Sequence, residues 1–306
     1  MEKVPIILGP TSSGKTTLAL SLCQKYGGEI ISADSRQVYK FMDVGTGKLP
    51  NNSKAKVVKK ENYWHVDGVK IWGYDLVTPN DYFSAFDYAQ FALKKISTIL
   101  SAGKKVFLVG GTGFYIDMVI GRIRSDGAPP DLELRRELEQ LPLRELQDKL
   151  EKLDSDSFAV IDKQNPARLV RTIEKKLTKD KPHSALPYLK NVEFVTVGLT
   201  ADRNTLYSRA DNWLEAIWTG GLLEEVSSLL NSEYKDSPKL RGLIYKTAVA
   251  YLRKELAEEE AKQKAKFDLH AYIRRQQTYF KKMPGITWLN VAQDNKLETV
   301  YNILNG

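Results

Sequence analysis

Eight residues near the amino terminus, Gly9-Pro10-Thr11-Ser12-Ser13-Gly14-Lys15-Thr16, have the composition and spacing of a phosphate cradle. Glycines at both ends let backbone amides turn inward on phosphate oxygens, and a helix starting at the second glycine adds its positive N-terminal end. Lys15 would bridge phosphates as a point charge, and the Thr16 hydroxyl would complete a magnesium shell. The motif follows an apolar run, Val4 to Leu8, and precedes an apolar-periodic one, so it sits where such a loop must sit, between strand and helix. It specifies a bound phosphate chain but no reaction. An NTPase adds an apolar strand ending in aspartate to hold the metal. Here Val106 to Val109 runs instead into Gly110-Gly111-Thr112-Gly113, and Asp34, after Ile30-Ile31, is the one carboxylate that ends an early strand-like run. That position suits a substrate-facing base at the carboxyl edge of a sheet. A turn or cap role for Asp34 is the alternative. Thr112 could share the same crevice or simply make a turn.

The elements that must hold these residues are legible from periodicity. Val4 to Leu8, Glu29 to Ser32 and Lys105 to Val109 read as buried strands, with helices at Thr16 to Tyr26 and Ala85 to Leu100. Such alternation implies an α/β fold, a parallel sheet flanked by helices. The Lys54 to Lys60 run reads as a solvated loop. After Gly121 and a break at Gly127 to Pro130 the chain becomes charged and helical: Asp131 to Gln140, Leu143 to Leu153, Asn165 to Leu177, closed by Pro182 and Pro187. Strand character returns at Val192 to Leu199, long helices fill Asp202 to Lys282, and Ile286 to Val291 reads as a last strand. The expected organisation is a P-loop core over 1–121 and 191–306, with a helical insertion domain over 122–190.

Composition narrows the class. The 306 residues are 42% hydrophobic and 27% charged, as in ordinary globular proteins, and no run approaches the ~20 apolar residues of a membrane span. Neither a membrane partner nor a secretory leader is expected, and the cytoplasm is the expected compartment. A single cysteine, Cys23, excludes internal disulfides and multi-cysteine zinc sites, and His65, His183 and His270 lack ligand spacing. The net charge of +8 is that of a solvated surface or of a partner rich in phosphate.

Several segments together resemble the tRNA dimethylallyltransferase family, in its bacterial form. They are Gly9 to Thr16, Ile31-Ser-Ala-Asp-Ser-Arg-Gln-Val-Tyr-Lys40, Met42-Asp-Val-Gly-Thr-Gly-Lys48, Val109-Gly-Gly-Thr-Gly-Phe-Tyr115, Asn165-Pro-Ala-Arg-Leu-Val-Arg171 and Gly221-Leu-Leu-Glu-Glu-Val226. The resemblance runs from Ile6 to about Trp288, and Ser32 to Tyr39 is its most diagnostic stretch. It implies transfer of a dimethylallyl group from dimethylallyl diphosphate to N6 of the adenosine beside the tRNA anticodon, position 37. Gly9, Pro10, Thr11, Ser12, Ser13, Gly14, Lys15 and Thr16 would then hold the diphosphate, with Mg2+ at Thr16. Asp34 resembles the base, Thr112 a positioning hydroxyl, and Lys15 the third catalytic group.

The resemblance also maps contacts to the tRNA anticodon stem-loop. They fall on Asp34, Ser35, Arg36, Gln37, Thr112, Arg135, Ala167, Arg168, Leu169, Val170, Arg171, Arg241, Tyr245, Lys246, Arg274, Arg275 and Gln276. The enzyme is expected to work as a monomer. The chain departs from the family's pattern at Ile244, where glycine is usual, at Trp213, where arginine is common, and through Pro50 to Asp75. Three other readings share the P-loop: a kinase of a small metabolite or nucleoside, a prenyltransferase of free adenine nucleotides, and an RNA-binding protein using the loop as a switch. The nucleotide-sized acceptor would need neither the insertion nor the basic C-terminal helices.

Overall fold

The computed structural model describes residues 1–49, 55–123, 130–178 and 185–305, with side chains to 303. Gly127, Ala128 and Pro129 of the expected break, with Pro182 and Lys54, lie outside the described residues. The chain divides into two units, one formed by 1–123 with 187–306 and the other by 124–186.

In the larger unit, buried β-branched and aliphatic runs make a sheet in the order β3-β4-β5-β2-β6-β1-β7-β8. These strands are β1 (Glu2–Leu8), β2 (Glu29–Ser32), β3 (Val57–Lys60), β4 (Tyr63–Val66), β5 (Val69–Trp72), β6 (Val106–Gly110), β7 (Val192–Thr200) and β8 (Ile286–Asn290). The six from β5 to β8 in that order are parallel. Strands β3 and β4 extend the edge antiparallel to β5. The expected α/β class holds, but the sheet is mixed, and the Lys54 to Lys60 run is corrected from loop to edge strand over Val57–Lys60. Its exposed lysines disguised it, and lysines are what an unpaired sheet edge carries to discourage further pairing.

Helix α1 (Lys15–Tyr26) lays Leu18, Ala19, Leu22 and Cys23 on Ile7, Ile30, Phe107, Val109 and Val197. The same cluster takes Trp64 and Val66 of β4 and Val69 and Ile71 of β5. Because strand side chains alternate, Tyr63, His65, Lys70 and Trp72 point to the other face. Helix α2 (Ala85–Ser101) starts in a Ser84–Asp87 capping box and buries Tyr88, Ala89, Ala92, Leu93 and Ile96. It packs on β2, β6 and the short α3 (Gly113–Val119).

The smaller unit contains α4 (Leu132–Glu139), α5 (Leu143–Leu153), α6 (Ser155–Val160) and α7 (Pro166–Leu177) around Leu138, Leu146, Leu150, Leu169, Val170 and Ile173. Helix α6 escaped the periodicity reading because six residues are under two turns. After β7 come α8 (Arg203–Ile217), a π-helical turn at Trp218–Leu222, α9 (Leu223–Leu230), α10 (Ile244–Leu252), α11 (Glu258–Phe280) and α12 (Lys296–Asn305).

Candidate active site at the ends of three adjacent strands

Strands β2, β6 and β1 are neighbours, and the residues that leave their carboxyl ends are Asp34, Thr112 and Gly9. Hydrogen bonds tie these exits together. Ala33 N–H donates to Val109 O at 2.7 Å and Thr112 N–H to Ala33 O at 3.1 Å. A Cβ on Gly110 would lie 2.0 Å from Ala33 O, so no side chain fits at the end of β6. The carboxylate that NTPases place there is sterically excluded, and Asp34 one strand over is the acid of the crevice.

The cradle is preformed. Gly14 adopts left-handed φ (82°) as the residue capping α1, and a Cβ on Gly9 would meet Leu199 O at 2.5 Å. Lys15 Nζ donates to Pro10 O at 2.7 Å, a bond within its own loop that a phosphate oxygen would replace. Ser13 Oγ is buried without a hydrogen-bond partner, and Thr16 is exposed at the head of α1. Burial lowers Lys15 to about 8, against the opposing pull of the Asp34 charge. Burial raises the Asp34 carboxyl above its usual range, opposed by the Arg36 N–H, the Lys15 and Arg36 charges and the Gln37 N–H. The charges of these two groups act on each other, and burial moves both pKa values towards neutrality.

Asp34 also makes the turn anticipated as its alternative role, accepting from Arg36 N–H at 2.9 Å. Thr112 Oγ1 accepts from Ser35 N–H at 3.0 Å, lies 3.3 Å from Ser35 Oγ, and is hydrogen-bonded to the Tyr272 hydroxyl. Gln37 accepts from Ser32 Oγ at 2.6 Å and donates to Thr46 O at 3.1 Å. Thus Asp34, Ser35, Arg36, Gln37 and Thr112 are joined in one hydrogen-bonded cluster at the strand exits, and the Lys15 charge acts on Asp34.

Other expected contact residues have internal roles. Gln276 is a brace: it is buried, accepts from Thr11 N–H at 2.8 Å and donates to Gly111 O at 3.0 Å. Tyr245 is buried and donates to Glu225 Oε1 at 2.7 Å, so its hydroxyl is likewise engaged inside the protein. Glu225 itself, on the first turn of α9, accepts from the N–H groups of Asp43, Val44 and Gly45 at 2.5, 2.7 and 3.0 Å. Nearby the buried Lys48 ammonium donates to Asp43, Asp75 and Tyr39 O at 2.6–2.7 Å. Tyr272 and Glu225 are two further residues of this region beyond those the sequence points to. Tyr272, Gln276 and Tyr279 recur at i, i+4 and i+7, a one-face signal that could have found the first. Ile244 fills core space, and the left-handed backbone falls one residue earlier, at Leu243 (φ 50°). Trp213 lies beside Gly47.

Arg241, Lys246, Arg274 and Arg275 are exposed. Lys246 pairs with Asp268 at 2.8 Å, Arg274 donates to the Tyr207 hydroxyl at 3.0 Å, and Arg275 lies over the Tyr272 ring. In the smaller unit Ala167 and Arg168 are exposed, whereas Leu169 and Val170 pack in its core. Arg135 and Arg171 both bond the fully buried Glu174 Oε2, at 2.8 and 2.7 Å. Burial alone would raise Glu174, but Arg171, Arg135 and the Asp131 N–H hold it below the usual range. Its folded-state pKa is depressed, so its stabilisation is complete above the ordinary value of 4.5 and disappears as pH falls through the lower one. Arg135→Ala should destabilise this unit by about 1–3 kcal/mol, because one donor to a buried carboxylate is lost while others remain. Amide hydrogen exchange over residues 130–178 reads this, and unchanged protection would refute it.

The match to a family model, described as IPP transferase, covers residues 37–283. A tRNA dimethylallyltransferase of Acetivibrio thermocellus is 37% identical over 300 residues, covering 95% of this chain and 92% of that protein. One from Bacillus cereus is 32% identical and covers 100% of this chain and 95% of the relative. Among solved structures, the tRNA isopentenylpyrophosphate transferase of Bacillus halodurans superposes with a TM-score of 0.71 at 31% identity, over 100% of this chain and 96% of that one. A eukaryotic dimethylallyltransferase solved acting on tRNA shares the fold, with a TM-score of 0.74 at 22% identity, over 99% of this chain and 78% of its own.

Proposed function

From this chain's membership of the IPP transferase family and its three-strand site, we propose that it transfers a dimethylallyl group from dimethylallyl diphosphate to N6 of adenosine 37, beside the tRNA anticodon. The observation that carries the reading is the placement of Lys15, Asp34 and Thr112 at the exits of the adjacent strands β1, β2 and β6, with a β6 end at Gly110 that admits no side chain. The exocyclic nitrogen attacks the allylic carbon, the C–O bond breaks, and its electron pair leaves on the diphosphate. Lys15 and the loop amides stabilise that developing charge, and Ser13 Oγ has a partner once phosphate fills the cradle. Asp34 takes the proton from the amine, and Thr112, fixed against Ser35 and Tyr272, positions the reacting nucleotide. A base within a helix or ordered loop reaches such a crevice by leaving its stack.

Magnesium fits the donors present: the exposed Thr16 hydroxyl would supply one ligand, and diphosphate oxygens and water the rest. When bound it would neutralise part of the leaving-group charge. Among the described residues no helix is long and apolar enough to cross a membrane.

Nucleoside mass analysis of an anticodon stem-loop RNA incubated with protein, magnesium and dimethylallyl diphosphate tests the reading. The expected product is an adenosine heavier by one dimethylallyl group; a phosphorylated acceptor formed from ATP would overturn it. Arg168, exposed and only 3.8 Å from Asp162, is the cleaner probe of tRNA binding than Arg171, which also holds Glu174. Arg168→Gln should lower the salt slope of RNA binding by about one counterion and leave diphosphate affinity unchanged. An unchanged slope would return Arg168 to an ordinary solvated helix residue.

A further inference from the structure

The antiparallel extension β3–β4–β5 has one face in the hydrophobic core and one face largely open. Register places Tyr63 opposite Trp72, His65 opposite Lys70, Lys60 opposite Tyr63 and Val58 opposite His65, all on the open face. Tyr63 and Trp72 lie 4.9 Å apart between ring centroids, and Tyr63 and His65 5.2 Å. Lys70 Nζ sits 4.5 Å from the Tyr63 ring centre, and Lys95, reaching over from α2, sits 3.6 Å from that of Trp72.

The charges on this face do not balance. Glu29 is the buried acid beneath it, accepting from Trp72 Nε1 at 2.7 Å and Lys104 Nζ at 2.8 Å, with Lys70 at 3.9 Å. Lys70, Lys95 and Lys104 therefore share one carboxylate, and Lys60 adds a fourth cation; among the described residues, Glu61 at the β3–β4 turn and Asp67 at the β4–β5 turn are exposed acids at the ends of this hairpin. The ammonium groups of Lys70 and Lys95 rest largely on ring faces, contacts that leave N–H donors available. Burial lowers the Lys95 pKa, opposed by the Glu29 charge and reinforced by the smaller effect of Lys70.

Trp72 pairs with Ile31 of β2, and the cations gather lower on the sheet, at Glu29, five residues before Asp34 and on the order of 17 Å from it along the strand. The extension falls in the Pro50 to Asp75 segment where the chain departs from its family's pattern.

We propose that the open face of β3–β4–β5, through Lys70, Lys95, Lys104 and Lys60, is a second RNA-binding surface that grips phosphates several nucleotides away from the one held at Asp34. The inference rests on the proposed tRNA substrate. Phosphates supply the missing counter-charge, and the tyrosine and tryptophan edges give a flat, rigid floor against which a strand can lie.

Binding of the anticodon stem-loop RNA to a Lys70→Gln/Lys95→Gln variant, titrated from about 50 to 200 mM salt, tests it. The expected result is a Kd roughly ten-fold weaker at the low-salt end and a salt slope smaller by about two. Turnover at saturating RNA and the KM for dimethylallyl diphosphate should stay within two-fold of the parent, as about 1.4 kcal/mol would be needed for even ten-fold. Lys264→Gln, on α11 and paired with Glu260, is the control and should leave the slope alone. Should the double variant fold poorly, Lys60→Gln/Lys104→Gln removes two exposed cations from the same face and should lower the slope equally. Slopes matching the parent in the folded variants would overturn the proposal. The slope is read whether or not the RNA is prenylated, so failure of this surface and failure of the assigned reaction are separable.

Discussion

Asp34→Asn is expected to lower kcat for prenyl transfer by roughly 10²-fold or more while leaving diphosphate affinity near that of the parent. The amide keeps the size of the carboxylate and its Oδ1 can still accept from Arg36 N–H, so the turn at 34–36 should survive. What disappears is the base. The pH profile separates this from a positional effect. Asp34 is raised by burial, so transfer by the parent enzyme should fall on the acid side at a pH above the usual carboxylate range. In the asparagine variant that acid limb should vanish along with most of the rate. Full activity, or an acid limb unchanged, would remove Asp34 from the chemistry and leave it as a turn residue.

Lys15→Ala should cost more in kcat/KM than any other change in the cradle, on the order of 10²–10³-fold, the scale of removing one charged donor from a developing oxyanion. The loop amides stay in place, held partly by Gln276 on Thr11 N–H, so the variant should still fold and bind diphosphate weakly. In the free parent enzyme Lys15 sits at about 8. Its charge is full below that value and lost above it, so kcat/KM should fall as pH rises through about 8. With diphosphate bound, the added negative charge should move the limb in kcat to higher pH. Near-parental kcat/KM for the alanine variant, or a basic limb that survives it, would show that the cradle does not hold the leaving group.

Much of this site was legible because its elements are locally encoded. Gly9 to Thr16 is contiguous, and its neighbours, Val4 to Leu8 before and an apolar-periodic helix after, leave one placement. Asp34 and Thr112 end runs of buried residues, which is visible without knowing which strands pair. What could not be read is what depends on partners distant in sequence. Gln276 looks like part of a basic, polar stretch, Arg274-Arg275-Gln276; only the packing of α11 shows it turned inward between Thr11 and Gly111. Leu169 and Val170 interleave with Arg168 and Arg171, and a motif match treats the four alike where a helix separates them by face. Strand β3 hid for the reverse reason. Its sequence, Val57-Val58-Lys59-Lys60, carries one partly buried side chain, so no alternation marks it.

The brace at Gln276 also sets a schedule for biosynthesis. Every residue assigned to the chemistry has left the ribosome once Thr112 has, yet Gln276 lies 165 residues beyond Gly111 and 265 beyond Thr11. At about 5–20 residues per second, that last support arrives roughly 8–33 s later. Glu225, which gathers three amides of the 43–45 loop, comes only part of the way through that interval. A nascent chain carrying all the catalytic side chains should therefore be inactive until its C-terminal helices emerge, and a premature stop between Thr112 and Gln276 would release a protein with its reactive residues present and its cradle unsupported.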